Sequence, residues 1–319
     1  MAALAAMRAG ASRVRIFEKS AFPRHKVCGE FLSPAILALL RRAGCEAGFL
    51  ELRPAVLREM RLQFGSQHTV RHPLPEPAFG LSRYELDRLL LQHAVQQGVE
   101  VVRETRPVAQ DDSGDAVVIA TGRRSVAPPG DRLFGFKAHF GGGPVNEAVE
   151  LYFFDGCYAG VSAIEGGMTN VCGLAPEGML RASGFDGGEL LGRSEALSAR
   201  LRGLTRQMEW LVTGPLVFSE ALHGAGPAYP AGDALGFIDP FTGSGIFNAM
   251  LTGEMAGDAA ARGGSVEAYL RDCRRMLRRP FFVSSIFRAV IRSGYAGFLA
   301  SFVPGRLLFA ATRPALAVR

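Results

Sequence analysis

Tryptophan is almost missing from this chain, with Trp210 alone, and cysteine is sparse: Cys28, Cys45, Cys157, Cys172 and Cys273 are spread over 319 residues. An odd number of distant thiols, with no CxxC pair and no histidine at ligand spacing, indicates neither a disulfide framework nor a metal site. The opening Met1–Gly10 is too short for a signal-peptide core and cleavage site, which reads as a cytoplasmic protein. Arg288 and Arg292 interrupt the longest apolar run, so the ~20 uninterrupted apolar residues of a membrane span are lacking. Internal repeats and low-complexity linkers are also missing. The excess of basic over acidic residues is small, a net charge of +6, and it is dispersed until the C-terminal third. Nucleic acid is therefore the weaker partner class, and an acidic cofactor or an anionic membrane suits the charge as well.

What is present is ordinary globular material. Hydrophobic residues make up 48% and charged residues 21%, which excludes a disordered or fibrous chain. The length suits two average domains of ~150 residues, or one large α/β unit carrying an insertion. The 39 glycines cluster with small residues, as where a backbone approaches a ligand or another helix.

Ala2–Arg8 reads as a helix, Gly10 as its cap, and Arg13–Phe17 as a short strand ending at Glu18. A helix, a glycine turn and a strand ending in an acid form the second half of a nucleotide-binding βαβ unit. The strand and GxGxxG loop of the first half do not precede it. Pro34–Arg42 predicts a helix with Ser33 as N-cap, closed by Gly44. Leu81–Gly98 predicts another, followed by the strand Val99–Val102; Asp115–Thr121 supplies a further strand running into Gly122. Beyond Gly135 the pattern changes to period two, and Phe136–Phe140, Ala148–Phe154, Tyr158–Ile164 and Met168–Leu174 predict a separate antiparallel sheet. Leu190–Trp210 reads as mostly helical, Thr213–Phe218 as extended, and Ile246–Ala261 and Val266–Arg279 as helices.

Two stretches carry chemistry. Ala231-Gly232-Asp233-Ala234, then Asp239-Pro240-Phe241-Thr242-Gly243-Ser244-Gly245-Ile246, places a carboxylate at a strand end and a glycine turn at a helix start. That arrangement offers an acceptor to polyol hydroxyls and free N–H groups to a phosphate or electron-rich ring; the plainer reading is a surface turn with a helix cap. The second stretch is Phe22-Pro23-Arg24-His25-Lys26-Val27-Cys28-Gly29-Glu30, in which Arg24 alone reads as a solvated charge and Cys28 alone as a small core residue.

Together with Arg15-Ile16-Phe17-Glu18-Lys19, Ser82-Arg83 before Leu86-Asp87, and Ala120-Thr121-Gly122, these stretches resemble the flavoprotein reductases and monooxygenases of the para-hydroxybenzoate hydroxylase superfamily, within it the geranylgeranyl-reductase-like branch. The motifs fall in the family's order across nearly the whole chain. The resemblance implies an α/β fold: a Rossmann-like FAD-binding domain, incomplete at its N-terminus, with an inserted antiparallel β substrate domain and C-terminal helices. The implied division is 1–135 and 221–275 for the FAD-binding domain, 136–220 for the substrate domain and 276–319 for a helical tail.

By that resemblance the cofactor is FAD and the electron donor NAD(P)H. Glu18, with Lys19 beside it, would meet the adenosine ribose, and Arg24 and Arg83 the cofactor's anionic or ribityl region. Gly122, Gly232, Asp233, Pro240, Gly243, Gly245 and Ile246 complete the cofactor set. Cys28 and Tyr158 are the candidate catalytic residues. A structural role for Cys28 and a packed-core role for Tyr158 stand beside that assignment, and His25 reads as a loop residue. The function implied is FAD-dependent reduction of a carbon–carbon double bond in a hydrophobic small molecule, with aromatic hydroxylation as the alternative; a shortened, non-catalytic remnant is a third reading. The absent first strand and glycine loop lead us to expect a chain shortened at its N-terminus. Near Tyr158, Gly160 and Ser162-Ala163 replace the Trp and Phe-Pro of the branch's Tyr-x-Trp-x-Phe-Pro pattern, which argues against an isoprenoid substrate, and a lone Trp210 argues against halogenation. The basic tail Arg274–Arg319 suits either peripheral contact with an anionic bilayer or a helix pair packed over the pocket.

Overall fold

The computed structural model describes residues 1–65, 68–103, 115–123, 132–216, 226–237 and 243–278. Helix α1 (Ala2–Arg8) turns through Gly10, at φ +95°, into strand β1 (Arg15–Glu18). Strand β2 (Phe31–Leu32) leads to α2 (Ile36–Arg42) and α3 (Glu46–Glu51). Ser33 does not cap α2 as expected. Its carbonyl accepts from the Ile36 N–H at 2.9 Å in a preceding turn, and its hydroxyl is buried. Next come β3 (Ala55–Phe64) and β4 (His68–Gly80), then α4 (Arg83–Gln96), where the Ser82 hydroxyl does cap by accepting from the Glu85 N–H. Strands β5 (Glu100–Arg103) and β6 (Val118–Ile119) are short.

The middle of the chain is β7 (Leu133–Gly141), β8 (Ala148–Phe154), β9 (Cys157–Ala163) and β10 (Thr169–Pro176). Helices α5 (Glu177–Ala182), α6 (Gly187–Leu191) and α7 (Glu195–Leu201) follow, then β11 (Thr205–Arg206) and β12 (Leu211–Leu216). The expected helix over Leu190–Trp210 is thus two short ones and an extended stretch, broken at Gly192 and at Gly203, whose φ is +83°. Strand β13 (Tyr229–Pro230), helix α8 (Gly245–Ala261) and helix α9 (266–278) complete the described chain. No helix among the described residues is long and apolar enough to cross a membrane.

Parallel pairing marks the half expected to hold the cofactor: β1 runs beside β5 and β13 beside β6. Leu4, Leu39, Phe49, Leu86 and Phe247 form the core that α1, α2, α3, α4 and α8 share with β1, whereas Tyr229 of β13 and Val118 of β6 pack with Tyr269, Leu270 and Leu277 of α9. Each such side chain contributes about 1.5–3 kcal/mol on burial. Helices α1 and α8 cross closely because Gly253 and Gly257 face α1; a Cβ on Gly257 would collide with the Ala2 carbonyl.

The remaining strands make one nine-stranded sheet in the order β11-β7-β10-β9-β8-β3-β4-β2, with β12 also paired to β7. Strands β2, β3 and β4 therefore join the substrate sheet although they lie within 1–135, the segment allotted by sequence to the cofactor half. Pro73, Pro75 and Pro77 mask β4 in the sequence, because proline does not donate to a ladder. They are accommodated since β4 has β3 on one side and only the two residues of β2, at its far end, on the other. Strand β3 is parallel to β8, from Glu59 opposite Ala148 to Phe64 opposite Phe153.

One face of this sheet packs Phe136, Val161, Val171 and Ala175 against Leu180, Leu190 and Leu197 of the short helices. By alternation the other face carries Lys137 and His139 on β7, Asn170 and Cys172 on β10, and Tyr158 and Ser162 on β9. That polar face is turned toward the cofactor half, and Lys137, His139, Ser162 and Asn170 are all buried.

Candidate functional site

Strand β13 runs into a single 3₁₀ turn, Gly232–Ala234, against α8. Gly232 sits at φ +59° with its Cβ position 3.1 Å from the Ala249 methyl, and its N–H donates to Thr252 Oγ1 at 2.9 Å. Any larger residue would be both strained and crowded here. The turn carries Asp233, which is half-buried. Burial raises the Asp233 carboxyl above its ordinary pKa, with Arg123 and Arg83 pulling the other way, and the carboxylate accepts no hydrogen bond among the described residues. A carboxylate in that condition lacks donors. Gly243, at φ +62°, lies against the Phe31 ring, and Gly245 and Ile246 open α8, whose first N–H groups form a positive helix end.

Arg83 is the first residue of α4 and binds Asp87 through Nε and Nη2, each at 2.8 Å. Lys26 Nζ reaches the same carboxylate at 2.7 Å, tying the loop 22–30 to the helix. Burial works against the Arg83 charge, but Asp87 outweighs it and Cys28 adds to it, so the guanidinium stays protonated. Arg83 thus stands electrostatically between Cys28 and Asp233, and Arg123, bonded to Thr213 Oγ1 at 2.9 Å, flanks Asp233 as well.

Beneath loop 22–30 lies a buried charge cluster. Glu30 is fully buried. Its carboxylate makes a short ion pair with Lys137 Nζ, meets His139 Nε2 at 2.7 Å and accepts from the Arg83 backbone N–H at 2.7 Å. Burial pulls the Glu30 carboxyl upward, yet the His139 hydrogen bond and the Lys137 charge together hold it below the usual glutamate value. Glu30 also adopts φ +55°, a left-handed conformation that a non-glycine residue keeps only when its surroundings over-determine it. Lys137 Nζ donates to the Lys26 carbonyl at 3.2 Å, and Asn170 Nδ2 to the Cys28 carbonyl at 3.2 Å. His25 stacks on Tyr84 at 5.0 Å and meets the His139 ring edge-on at 5.1 Å. The cluster therefore joins the loop, the start of α4 and the polar face of the sheet.

The structure brings together Cys28, Arg83, Gly232, Asp233, Gly243, Gly245 and Ile246 around these elements. Glu18 stands at the end of β1, where its Oε1 accepts from the Ser20 N–H at 2.9 Å, with Lys19 exposed next to it. Arg24 is exposed on loop 22–30, and Gly122, at φ +80°, follows β6. Tyr158 is on the polar face of β9, opposite Leu174, with its ring 6.2 Å from Phe153. Burial pushes the Cys28 thiol up in pKa, with Glu30 adding to the rise and Arg83 opposing it, so this sulfur is a neutral thiol rather than a nucleophilic thiolate. Pro240 and the tail beyond 278 lie outside the described residues.

Glu30, Arg123, Lys137, His139 and Asn170 escaped the sequence reading. Lys137 and His139 alternate with Phe136, Ala138 and Phe140, a pattern that ordinarily marks a solvent-facing strand edge. The nearest signal was Glu30 itself, an acid directly after Cys28-Gly29.

No family model matches the chain. A curated relative, the menaquinone reductase of Mycolicibacterium smegmatis, is 29% identical along 316 aligned residues that cover 82% of this chain and 74% of the relative. Among solved structures, the flavin-dependent brominase Bmp2 superposes with a TM-score of 0.77 at 17% identity, covering 98% of this chain and 90% of that one. A flavoprotein/dehydrogenase from Cytophaga hutchinsonii does so with a TM-score of 0.75 at 18% identity, covering 98% and 86%. The fold is therefore the one those flavin-dependent proteins share, a Rossmann-like half combined with a largely antiparallel sheet.

Proposed function

We propose that this protein is an FAD-dependent oxidoreductase that reduces a carbon–carbon double bond in a hydrophobic small molecule of the prenylated-quinone class, with NAD(P)H as electron donor. The observation that carries the reading is the half-buried Asp233, which accepts no hydrogen bond among the described residues and has Arg83 and Arg123 as its neighbouring charges, at a left-handed glycine turn. A flavin nucleotide supplies what that carboxylate lacks, polyol hydroxyls to donate and phosphates to meet the two guanidiniums. The residues present thus fit the cofactor. Asp233 and Arg83 would hold its ribityl and diphosphate region, the α8 N-terminus at Gly243–Ile246 its ring edge, and Glu18, with Lys19, its ribose. Arg24, Gly122 and Pro240 belong to the proposed cofactor set on the sequence resemblance. When bound, FAD supplies two-electron chemistry.

The chain's own residues supply the rest. Cys28, whose carbonyl accepts from Asn170 Nδ2, is assigned to the substrate side as a neutral thiol, and Tyr158 is assigned there from the sheet face that carries Asn170. The polar sheet face and loop 22–30 orient the acceptor and exclude water. The curated relative's quinone supports the substrate class. Such a substrate resides in bilayers, and the basic tail from Arg274 onward is proposed to rest on an anionic membrane surface while the protein stays on the cytoplasmic side.

The test is reconstitution with FAD, then anaerobic incubation with NADPH and menaquinone, with products read by mass spectrometry. A yellow protein yielding a product that remains two hydrogens heavier after its ring is reoxidised in air, so that the added hydrogens are on carbon, supports the proposal. Colourless protein after FAD addition would refute it, and turnover that needs stoichiometric oxygen would replace reduction with hydroxylation.

A further inference from the structure

The face of the sheet that turns away from the cofactor half holds a cavity of about 290 Å³ between α6 and α7. Its walls are apolar: Phe140 of β7, which lies on the same side of its strand as Phe136, with Leu191 of α6 and Leu201 of α7. Gly188 and Gly192, one helical turn apart, leave the room that larger side chains would fill. Ser198 and Arg202, one turn apart on α7 and its end, supply the polar atoms. Lys137 and His139 alternate with Phe136 and Phe140 along β7 and so lie on the other side of the sheet, which separates this cavity from the Glu30 cluster.

Arg202 differs from the other arginines of these helices. Arg181 is paired with Glu177 at 2.7 Å, Arg193 with Asp155 at 2.9 Å and Arg200 with Glu150 at 2.8 Å. The Arg202 guanidinium, exposed at the rim, meets no carboxylate among the described residues. Beside Gly188 stands Asp186, whose Oδ1 accepts from the Gly188 N–H at 2.6 Å. A ligand's negative charge is repelled there and drawn to Arg202. An apolar slot with one unpaired cation at its rim matches a chain with one anionic end. We propose that the cavity between α6 and α7 binds a medium-chain fatty carboxylate, its chain on Phe140, Leu191 and Leu201 and its carboxylate on Arg202 beside Ser198. Ligand sites begin at about 300 Å³, so the volume suits a single acyl chain and is too small for a diacyl lipid or a dinucleotide. Each methylene taken from water adds to the affinity, and the ion pair at the rim distinguishes acid from alcohol. No bond is made or broken, and the site is independent of the flavin reading.

The chain carries its own reporter. Trp210 is the single tryptophan; its ring is 5.9 Å from that of Phe140, and its Nε1 is 3.8 Å from the Cβ position of Gly188. A bromine atom brought beside an indole quenches its fluorescence, so the probes are 10-bromodecanoate and 10-bromodecanol, titrated into the full chain at neutral pH before FAD is added. The acid should quench Trp210 saturably. Arg202→Glu, an exposed substitution, should weaken the acid about fivefold or more and leave the alcohol within about twofold of its original affinity. Ser198→Leu, which fills the cavity from α7, should weaken both probes. Absence of saturable quenching by the acid in the unmodified protein overturns the proposal without any variant having to fold. Quenching by the acid that folded Arg202→Glu leaves unchanged overturns it too, as does quenching that disappears as protein concentration rises, which would give the groove to a second copy of the chain.

Discussion

Glu30→Gln is the sharpest perturbation available, because it keeps the shape of a fully buried side chain and deletes its charge. In the native protein that charge faces the wholly buried Lys137 ammonium, His139 Nε2 at 2.7 Å and the Arg83 N–H at 2.7 Å. The amide oxygen still accepts from one donor, but Lys137 is left as an uncompensated cation away from water. Removing one member of a buried pair costs about 3–5 kcal/mol, a large part of the ~5–15 kcal/mol that holds a typical domain folded. At about 2–4 °C per kcal/mol, the melting temperature should fall by roughly 6–20 °C. Replacing both partners removes the orphaned charge, so Glu30→Gln with Lys137→Met should recover most of the loss. The pH dependence has a definite sign. The Glu30 carboxyl is held below its ordinary value, so its contribution is complete above the usual glutamate range and lost as pH falls through the folded-state value. The melting curves of wild type and Glu30→Gln should therefore converge in acid. Differential scanning calorimetry across pH measures all three points. A single variant melting within about 2 °C of wild type at neutral pH, or a double variant as unstable as the sum of the singles, would refute the reasoning.

Asp233→Asn separates stability from cofactor binding. The Asp233 carboxyl is raised by burial, so its contribution to the cofactor-free protein is present at low pH and lost as pH rises through the folded value. The asparagine variant should melt at or above wild type near neutral pH while binding FAD at least about tenfold more weakly, as read by flavin fluorescence; a variant that binds FAD as tightly as wild type removes Asp233 from the cofactor set. The Cys28 thiol, raised in pKa by burial, should be alkylated by iodoacetamide at neutral pH far more slowly than a free cysteine, and rapid labelling of its peptide would contradict the assignment. Gly257→Ala should lose about 1–3 kcal/mol by wedging α1 from α8. Gly178→Ala, on α5 with open space around it, should be neutral or slightly stabilising; equal melting points for these two variants would show that the helix crossing is not close-packed.

The sequence by itself determined the local pieces. The alanine helix, Gly10 and the strand to Glu18, the helix α4, the period-two strands after Gly135 and the small-residue helix α8 are each written in residues a few positions apart, where propensity and glycine geometry decide. The order of motifs from Glu18 through Arg83 to Asp233 likewise marked a nucleotide-binding frame. Tertiary structure decided what lies across from what. The three prolines of β4 concealed a strand that only an edge position tolerates, and burial of Lys137 and His139 depended on loop 22–30 crossing a face that alternation alone assigns to solvent. Whether Glu30 is a surface acid or the centre of an ion cluster is not a local property. Its partners are 53, 107 and 109 residues away, and the Lys137 charge and the two hydrogen bonds acquire their strength only once the packed chain has removed the water between them.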